Sequence, residues 1–185
     1  SGQVVLERSR KMQFQLEPFS SNDLVESLGG EFMLHEGMID VSYKVEGHLG
    51  EICWPAKRNP LARESGLWES TCLEFFLGLA GQTGYLEFNI SPGGNWNCFS
   101  FSEERKDMKE SSSLVLRELR SKKSTRAASL DARIAAGGLR GESLLIGIAA
   151  VIKYQSGLLY YALSHGKAAD FHDRRHHLLV HRVDL

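Results

Sequence analysis

The sequence predicts an all-β fold, a sandwich or barrel of short antiparallel strands. Two observations carry that prediction. Apolar residues recur with period two over most of the 185 residues, the spacing that puts alternate side chains on one face of a strand. Clusters of turn residues cut the alternating stretches into about ten pieces of strand length.

The pieces run in order. Phe14–Phe19 reads as a strand, and Asn22–Leu28 as a short helix. Met38–Val45 puts Ile39, Val41, Tyr43 and Val45 on one face. Leu73–Leu77, Tyr85–Ile90 and Asn97–Phe101 alternate in the same way. Glu103–Ser111 is the second short helix candidate. Leu114–Leu119 and Leu130–Ala136 alternate again. Leu144–Tyr154 and Leu158–His165 are more continuously apolar, as strands buried on both faces are. Leu178–Val183 is the last. Gly29-Gly30, Pro60, Gly81–Gly84, Pro92-Gly-Gly, Gly137–Gly141 and Ser156-Gly157 separate them. No repeat, linker or boundary divides the chain, so residues 1–185 read as one domain. Residues 1–12 read as a disordered or tag-derived lead.

Composition narrows the function. Apolar residues make up 42% and charged residues 24%, enough of each for a globular core and a solvated surface. The net charge of −1 favours neither the phosphates of nucleic acid nor an anionic membrane. The one basic run, Arg117–Arg126, reads as a solvated strand end and loop. The longest apolar run, Leu144–Ile152, is far short of the roughly 18 residues that cross a bilayer. Cys53, Cys72 and Cys98 are odd in number and lack a CxxC spacing. They are expected to be buried, reduced thiols, and the protein cytoplasmic.

The stretch Leu67–Trp96, LWESTCLEFFLGLAGQTGYLEFNISPGGNW, carries a polar constellation on a hairpin. Leu73, Phe75 and Leu77, with Leu86, Phe88 and Ile90, must face the core. Cys72, Glu74 and Phe76 therefore share the opposite face with Tyr85, Glu87 and Asn89. Closure about Ala80–Gly81 would set Phe76 across from Tyr85, Glu74 from Glu87 and Cys72 from Asn89, about 4.5–5.5 Å apart at Cβ. A two-residue shift would keep both carboxylates on that face and separate them. Solvated glutamates paired with Arg or Lys are one reading of this face. A polar floor flanked by Trp68, Tyr85 and Trp96 is the other. Carboxylates and an amide bind hydroxyls, and aromatic faces stack on the C–H face of a sugar.

Taken together, LWESTCLEFFL, GYLEFNISPGGNWNCFSF, Arg105 and YYALSHGKAADFHDRRHH resemble the small bacterial DOMON-like proteins. These are related to family-nine carbohydrate-binding modules and to the haem-binding cytochrome domain of cellobiose dehydrogenase. The likeness spans about Phe14 to Val183. It implies a jelly-roll-like β-sandwich, with a sugar held between two aromatics and an acidic residue six positions after the first. Trp68 and Glu74 match that unit. A second aromatic, a Trp in the relatives, would fall within Asp170–His177, where Phe171 or His172 takes its place. Haem, with a Met and a His as axial ligands, would draw on Met38, Met108, His165 and His172.

The segment Asp170–His177, DFHDRRHH, holds three of seven histidines. His172 and His176, or His177 and His181, are spaced to share a helical face and hold a divalent metal. A strand over Leu178–Val183 would separate the latter pair by about 13 Å. Surface histidines in a loop, and a pocket rim in which Asp170, Phe171 and His172 face Trp68, are the other readings. Asp170 could also cap a short turn. No GxSxG, HExxH or phosphate loop is present, and Ser91–Trp96 reads as a tight turn.

The reading is a non-catalytic module for a small polar ligand, a sugar above all. Trp68 and Phe171 would stack on it, Glu74, Glu87, Asn89 and Asp170 would bind its hydroxyls, and Tyr85, Trp96 and His172 would wall the pocket. A glycosidase-like or metal-dependent hydrolase built on Glu74, Glu87 and the C-terminal histidines is the alternative. A protein-interaction module is a third.

Overall fold

Alternation sorts the strands into two sheets that share one core. The computed structural model describes residues 4–6, 11–35, 37–137 and 141–183. Its strands are β1 (Val4–Leu6), β2 (Lys11–Gln15), β3 (Glu17–Pro18), β4 (Val25–His35), β5 (Met38–Gly47), β6 (Ala62–Arg63), β7 (Cys72–Leu79) and β8 (Tyr85–Ile90). There follow β9 (Asn95–Phe101), β10 (Lys109–Glu110), β11 (Val115–Lys123), β12 (Ala127–Ala135), β13 (Gly141–Tyr154), β14 (Gly157–Ala162) and β15 (Leu178–Val183). One sheet has the order β1-β2-β4-β5-β12-β11. The other has the order β10-β9-β8-β7-β13-β14-β3, with β15 added beside β13 and β6 beside β9. All pairings are antiparallel except β6 with β9. The all-β antiparallel sandwich expected from the sequence is the fold observed.

The first sheet keeps one face dry and one wet. Ile39, Val41, Tyr43 and Val45 of β5 are buried, as are Ala128, Leu130, Ala132 and Ile134 of β12. From the second sheet, Phe75 meets Phe32 edge-on at 5.3 Å, stacks on Phe88 at 5.2 Å, and Phe88 stacks on Trp96 at 5.6 Å. Each such side chain contributes roughly 1.5–3 kcal/mol on burial. The Tyr43 hydroxyl crosses the core and donates to the Glu74 carbonyl at 2.7 Å.

Both expected helices are absent, for local reasons. Asn22 does not cap a helix. Its Oδ1 accepts from the N–H groups of Leu24 and Val25 at 3.1 and 2.8 Å, turning the chain into β4. In 103–111, Arg105 and Asp107 take φ of 58° and 54°, which a right-handed helix does not admit. That segment is a turn closed by Glu103 and Lys106, leading into β10. Helical backbone among the described residues is confined to 3-10 turns at Leu49–Glu51, Leu67–Glu69 and Arg174–His176. Within the expected lead, Val4–Leu6 pair with Met12–Phe14 as a strand. Cys53 is exposed, unlike Cys72 and Cys98.

The second sheet is unusual in its outer face. Seven successive residues of β7, Cys72–Gly78, are buried, so both sides of the strand are covered. The cover is the segment after β14, residues 163–177, which crosses back over β7, β13 and the end of β8. Two glycines make that crossing possible. A Cβ on Gly147 would stand 2.4 Å from His177 Nε2, and one on Gly78 would stand 2.6 Å from an Arg174 guanidinium nitrogen. Arg174 also donates to the Gln82 carbonyl and, at 3.3 Å, to the Leu79 carbonyl. The His177 ring, lying over Phe76, donates from Nε2 to the Phe171 carbonyl at 2.9 Å.

Replacing Gly147 by Ala should therefore lift His177 and destabilise the fold by about 1–3 kcal/mol. Gly50→Ala, where nothing stands within 4 Å of the added carbon, should change stability by less than about 0.5 kcal/mol. Urea unfolding of the two variants checks the pair.

Candidate functional site

The hairpin takes the shifted register. Glu74 lies across from Asn89, Phe76 from Glu87 and Gly78 from Tyr85. The two glutamates are thus diagonal neighbours on the outer face, a placement of about 7–8 Å between Cα atoms. The rows continue outward. Glu87 is flanked by Phe99 of β9, and Glu74 by Ala149 of β13, which in turn pairs with Ala162 of β14. Two alanines beside a glutamate leave a hollow in the sheet surface.

Three segments wall that hollow. The 3-10 turn Leu67–Glu69 brings Trp68, 38% exposed, edge-on to Phe99 at 6.0 Å. The turn after β9 brings Arg105 and Met108. The C-terminal segment brings Ala169, Phe171 and His172, with Phe171 edge-on to Tyr160 of β14 at 6.0 Å. Because β9 and β14 lie on opposite sides of β7 and β8, Trp68 and Phe171 rise from opposite sides of the glutamate floor. The resulting cavity holds about 390 Å³ and is lined also by Phe101, Val151 and Tyr160.

The floor is electrostatically costly. Glu74 is 2% and Glu87 5% exposed. Burial pushes the Glu74 carboxyl well above the usual carboxylate range, and the Glu87 charge adds to the shift. Burial raises Glu87 to about 7, while the Asn89 side chain and the Arg105 charge pull the other way. Among the described residues no lysine or arginine forms an ion pair with either. The nearest basic group to Glu87 is His172, whose Nε2 is 3.6 Å from Oε2. Burial, with the Arg105 charge, lowers His172 to about 4, so its ring is neutral near pH 7. Its Nδ1 is 2.7 Å from the Tyr85 hydroxyl, which also accepts the Arg105 N–H at 3.1 Å. With Tyr85 donating into Nδ1, we assign the ring hydrogen to Nε2, on the Glu87 side. Asn89, fully buried beside Glu74, makes no well-formed hydrogen bond through either amide atom, although its amide lies near enough to Glu87 to favour the ionised carboxylate.

The residues singled out in the sequence divide into two groups. Trp68, Glu74, Glu87, Phe171 and His172 line one cavity. Tyr85 and Asn89 lie on the same face beneath it. Asp170 stands behind the rim, accepting from Arg105 at 2.6 Å and from the His172 N–H at 3.1 Å. Through the latter bond, and with its carbonyl accepting the Asp173 N–H at 3.3 Å, it caps the short turn 170–173, while Asp173 caps the 3-10 turn that follows. Trp96 is not at the cavity. It is 6% exposed, faces the core against Phe88 and is covered by Arg63 at 4.5 Å. The reason is parity, since Trp96 pairs with Ile90, a core-facing residue of β8. Phe101, Val151, Tyr160 and Ala169 were not anticipated. All but Ala169 follow from extending the alternation of the outer face to β9, β13 and β14.

The alternative ligand sets do not assemble. His176 is committed elsewhere, bonding Ser164 through Nδ1 at 2.7 Å and facing Asp173 through Nε2 at 3.6 Å. The side chain of His181 lies outside the described residues. No group of three or more His, Cys, Asp or Glu suited to a metal occurs among the described residues. Met108 and His172 reach one cavity, but His172 is committed to Tyr85 and Glu87. His165 bonds the Glu17 carbonyl at 2.8 Å, and Met38 lies in β5 of the other sheet. These residues do not fit haem. A larger hollow, about 530 Å³, lies on the outer face of the first sheet. Four of its charged residues pair, Lys11 with Glu31 at 2.8 Å and Arg133 with Asp40 at 2.8 Å, and no aromatic lines it.

The buried carboxyls set a pH dependence. Their folded pKa values lie above the unfolded value, so the folded state holds more protons and stability falls as pH rises. For Glu87 the penalty is absent below about pH 4.5 and grows through pH 7. His172 acts in the opposite sense, losing stability as pH falls from about 6.5 to 4. Measured against Glu87→Gln, which keeps His172 and Glu74, the wild type should lose on the order of 1–2 kcal/mol between pH 6 and pH 8. Urea unfolding of both proteins at the two pH values checks this.

Comparison with known proteins follows this geometry. No family model matches the chain, and no curated protein matches its sequence. Solved structures do share its fold. A proposed carbohydrate-binding protein from Bacteroides uniformis superposes with a TM-score of 0.62 at 11% identity, covering 89% of this chain and 84% of that one. A family-nine carbohydrate-binding module from Caldicellulosiruptor kristjanssonii, solved in complex with glucose, superposes with a TM-score of 0.51 at 10% identity, covering 100% and 86%. At these identities the likeness is one of fold, the fold of carbohydrate-binding modules.

Proposed function

We propose that this chain is a binding module for a small sugar, taken into the cavity between Trp68 and Phe171. One observation carries the reading: a half-exposed indole stands over a floor of two buried carboxyls. A sugar ring presents C–H groups to an aromatic face and hydroxyls at its edge. Trp68 and Phe171 offer the faces. A carboxyl held protonated donates one hydrogen bond and accepts others, whereas an ionised one only accepts. Glu74 and Glu87, both pushed towards the protonated form by burial, thus serve both ends of a hydroxyl. Asn89 adds an amide beneath them. The fold is that of a module which, in its family-nine relative, holds glucose, and this supports the same ligand class here.

A hydrolase is the second reading, favoured by Glu87 at about 7, the range of a general acid or base. It predicts turnover of aryl glycosides, and the binding reading predicts none.

The chain has three tryptophans. Trp96 is in the core and Trp54 donates to Ser121 at 2.8 Å, so only Trp68 reports on the cavity. Titration with glucose should give a saturable change in tryptophan fluorescence. Trp68→Ala should abolish that change and weaken binding at least tenfold by calorimetry, with Tm within a few degrees of wild type. A flat response to a panel of mono- and disaccharides up to millimolar concentrations would remove the sugar reading.

A further inference from the structure

The floor of the cavity holds two buried carboxyls whose ionised forms have no cation of the protein beside them among the described residues. Glu74 and Glu87 share one face of neighbouring strands, and neither meets a lysine or arginine within ion-pair distance among the described residues. Arg105, the cation that lines the cavity, is engaged by Asp170 at 2.6 Å. His172 meets Glu87 only at 3.6 Å. The walls add to the same sign. Trp68, Phe101, Tyr160 and Phe171 bring aromatic rings to the space above the carboxyls, and a ring face is the negative end of its quadrupole. Asn89, buried in register beside Glu74, leaves both amide atoms without a well-formed hydrogen bond while its amide leans towards Glu87, so the floor also has polar capacity to share with a ligand. Paired carboxylates under an aromatic wall are the surroundings a protonated amine finds favourable. A neutral hexose satisfies the hydrogen bonds and brings no counter-charge to the carboxyls.

Building on the sugar-binding reading above, we propose that the preferred ligand is a sugar carrying a free amine, a hexosamine, with its ammonium group held between the carboxylates of Glu74 and Glu87. Recognition then has two parts. Trp68 and Phe171 hold the ring, as they would any hexose, and the carboxylates select the charge. The buried carboxyls, reluctant to ionise alone, ionise when the ammonium arrives and release protons to solvent. Binding of the amine should accordingly strengthen as pH rises from 5.5 to 7, where the carboxyls ionise more readily and the ligand amine stays largely protonated.

Calorimetric titration with glucosamine, glucose and N-acetylglucosamine tests this. Glucose matches glucosamine in size without the charge, and N-acetylglucosamine keeps the nitrogen and loses the charge. The expected result at pH 7 is glucosamine bound at least tenfold more tightly than either, with the ratio to glucose falling severalfold at pH 5.5. Glu87→Gln, first shown by its melting curve to be folded, should bring that ratio close to one. Glucose binding as tightly as glucosamine would overturn the proposal and leave the sugar-binding reading in place. Binding of none of the three would overturn both. Because the wild-type comparison decides the matter, a Glu87 variant that failed to fold would not protect the proposal.

Discussion

The site depends on the absence of two Cβ atoms. Gly78 and Gly147 sit on the outer face of adjacent strands, and at each a methyl group would collide with a side chain from the C-terminal segment. Without them Arg174 and His177 could not lie flat on the sheet. The segment would ride higher, and the face carrying Glu74 and Glu87 would open to water. With them, the segment closes on the sheet, Phe171 and His172 reach the glutamates, and the antiparallel sheet becomes buried on both sides at its centre. An antiparallel sheet ordinarily leaves one face wet. Here the covered face is what turns a pair of ordinary surface glutamates into a buried acidic floor.

That floor runs against the rest of the fold. The core is apolar, closely packed and locally consistent, with ring contacts spanning both sheets. The outer face of β7 and β8 instead holds two carboxyls and an amide with few partners, each of which would be better placed in water. Violations of this kind concentrate at sites of function. The covering segment answers the cost only in part. Tyr85, His172 and Asp170 form a hydrogen-bonded rim with Arg105, and this rim fixes the cavity wall without neutralising its floor. The walls are therefore held in place before a ligand arrives, while the carboxyls remain to be satisfied by it.

Much of this was legible in the sequence, and the parts that were not have physical causes. Strict alternation at Ile39–Val45 and Leu73–Leu77 identified the core face, and by exclusion it put Glu74, Glu87 and Asn89 on the other. Parity carries no information about distance, so it does not choose between the two registers of the Ala80–Gly81 hairpin, which the length of the turn sets. Trp96 is aromatic and near the pocket residues in sequence, which points to the pocket, but its pairing with Ile90 commits it to the core. Asn22 opens the stretch expected as a helix, and an asparagine that caps a helix makes the same side-chain hydrogen bonds as one that turns the chain into a strand. Arg105 and Asp107 adopt left-handed backbone that ordinary side chains seldom show, and no local pattern announces it. The glycines were the missed signal. A glycine within an otherwise apolar strand often marks close approach by another part of the chain, and Gly78 and Gly147 both do. Pairing across the sheet, which joins Tyr160 and Val151 to the cavity, required the fold itself.

The central claim is that ligand enters at the outer face of the second sheet, over Glu74 and Glu87. Amide chemical-shift mapping by nuclear magnetic resonance during a glucose titration tests it most directly. The account predicts saturable shifts clustered at Trp68, Glu74, Glu87, Phe101, Tyr160 and Phe171, with the first sheet unmoved. Shifts clustered instead around Lys11, Asp40 and Arg133, at the charged hollow of the opposite face, would contradict it.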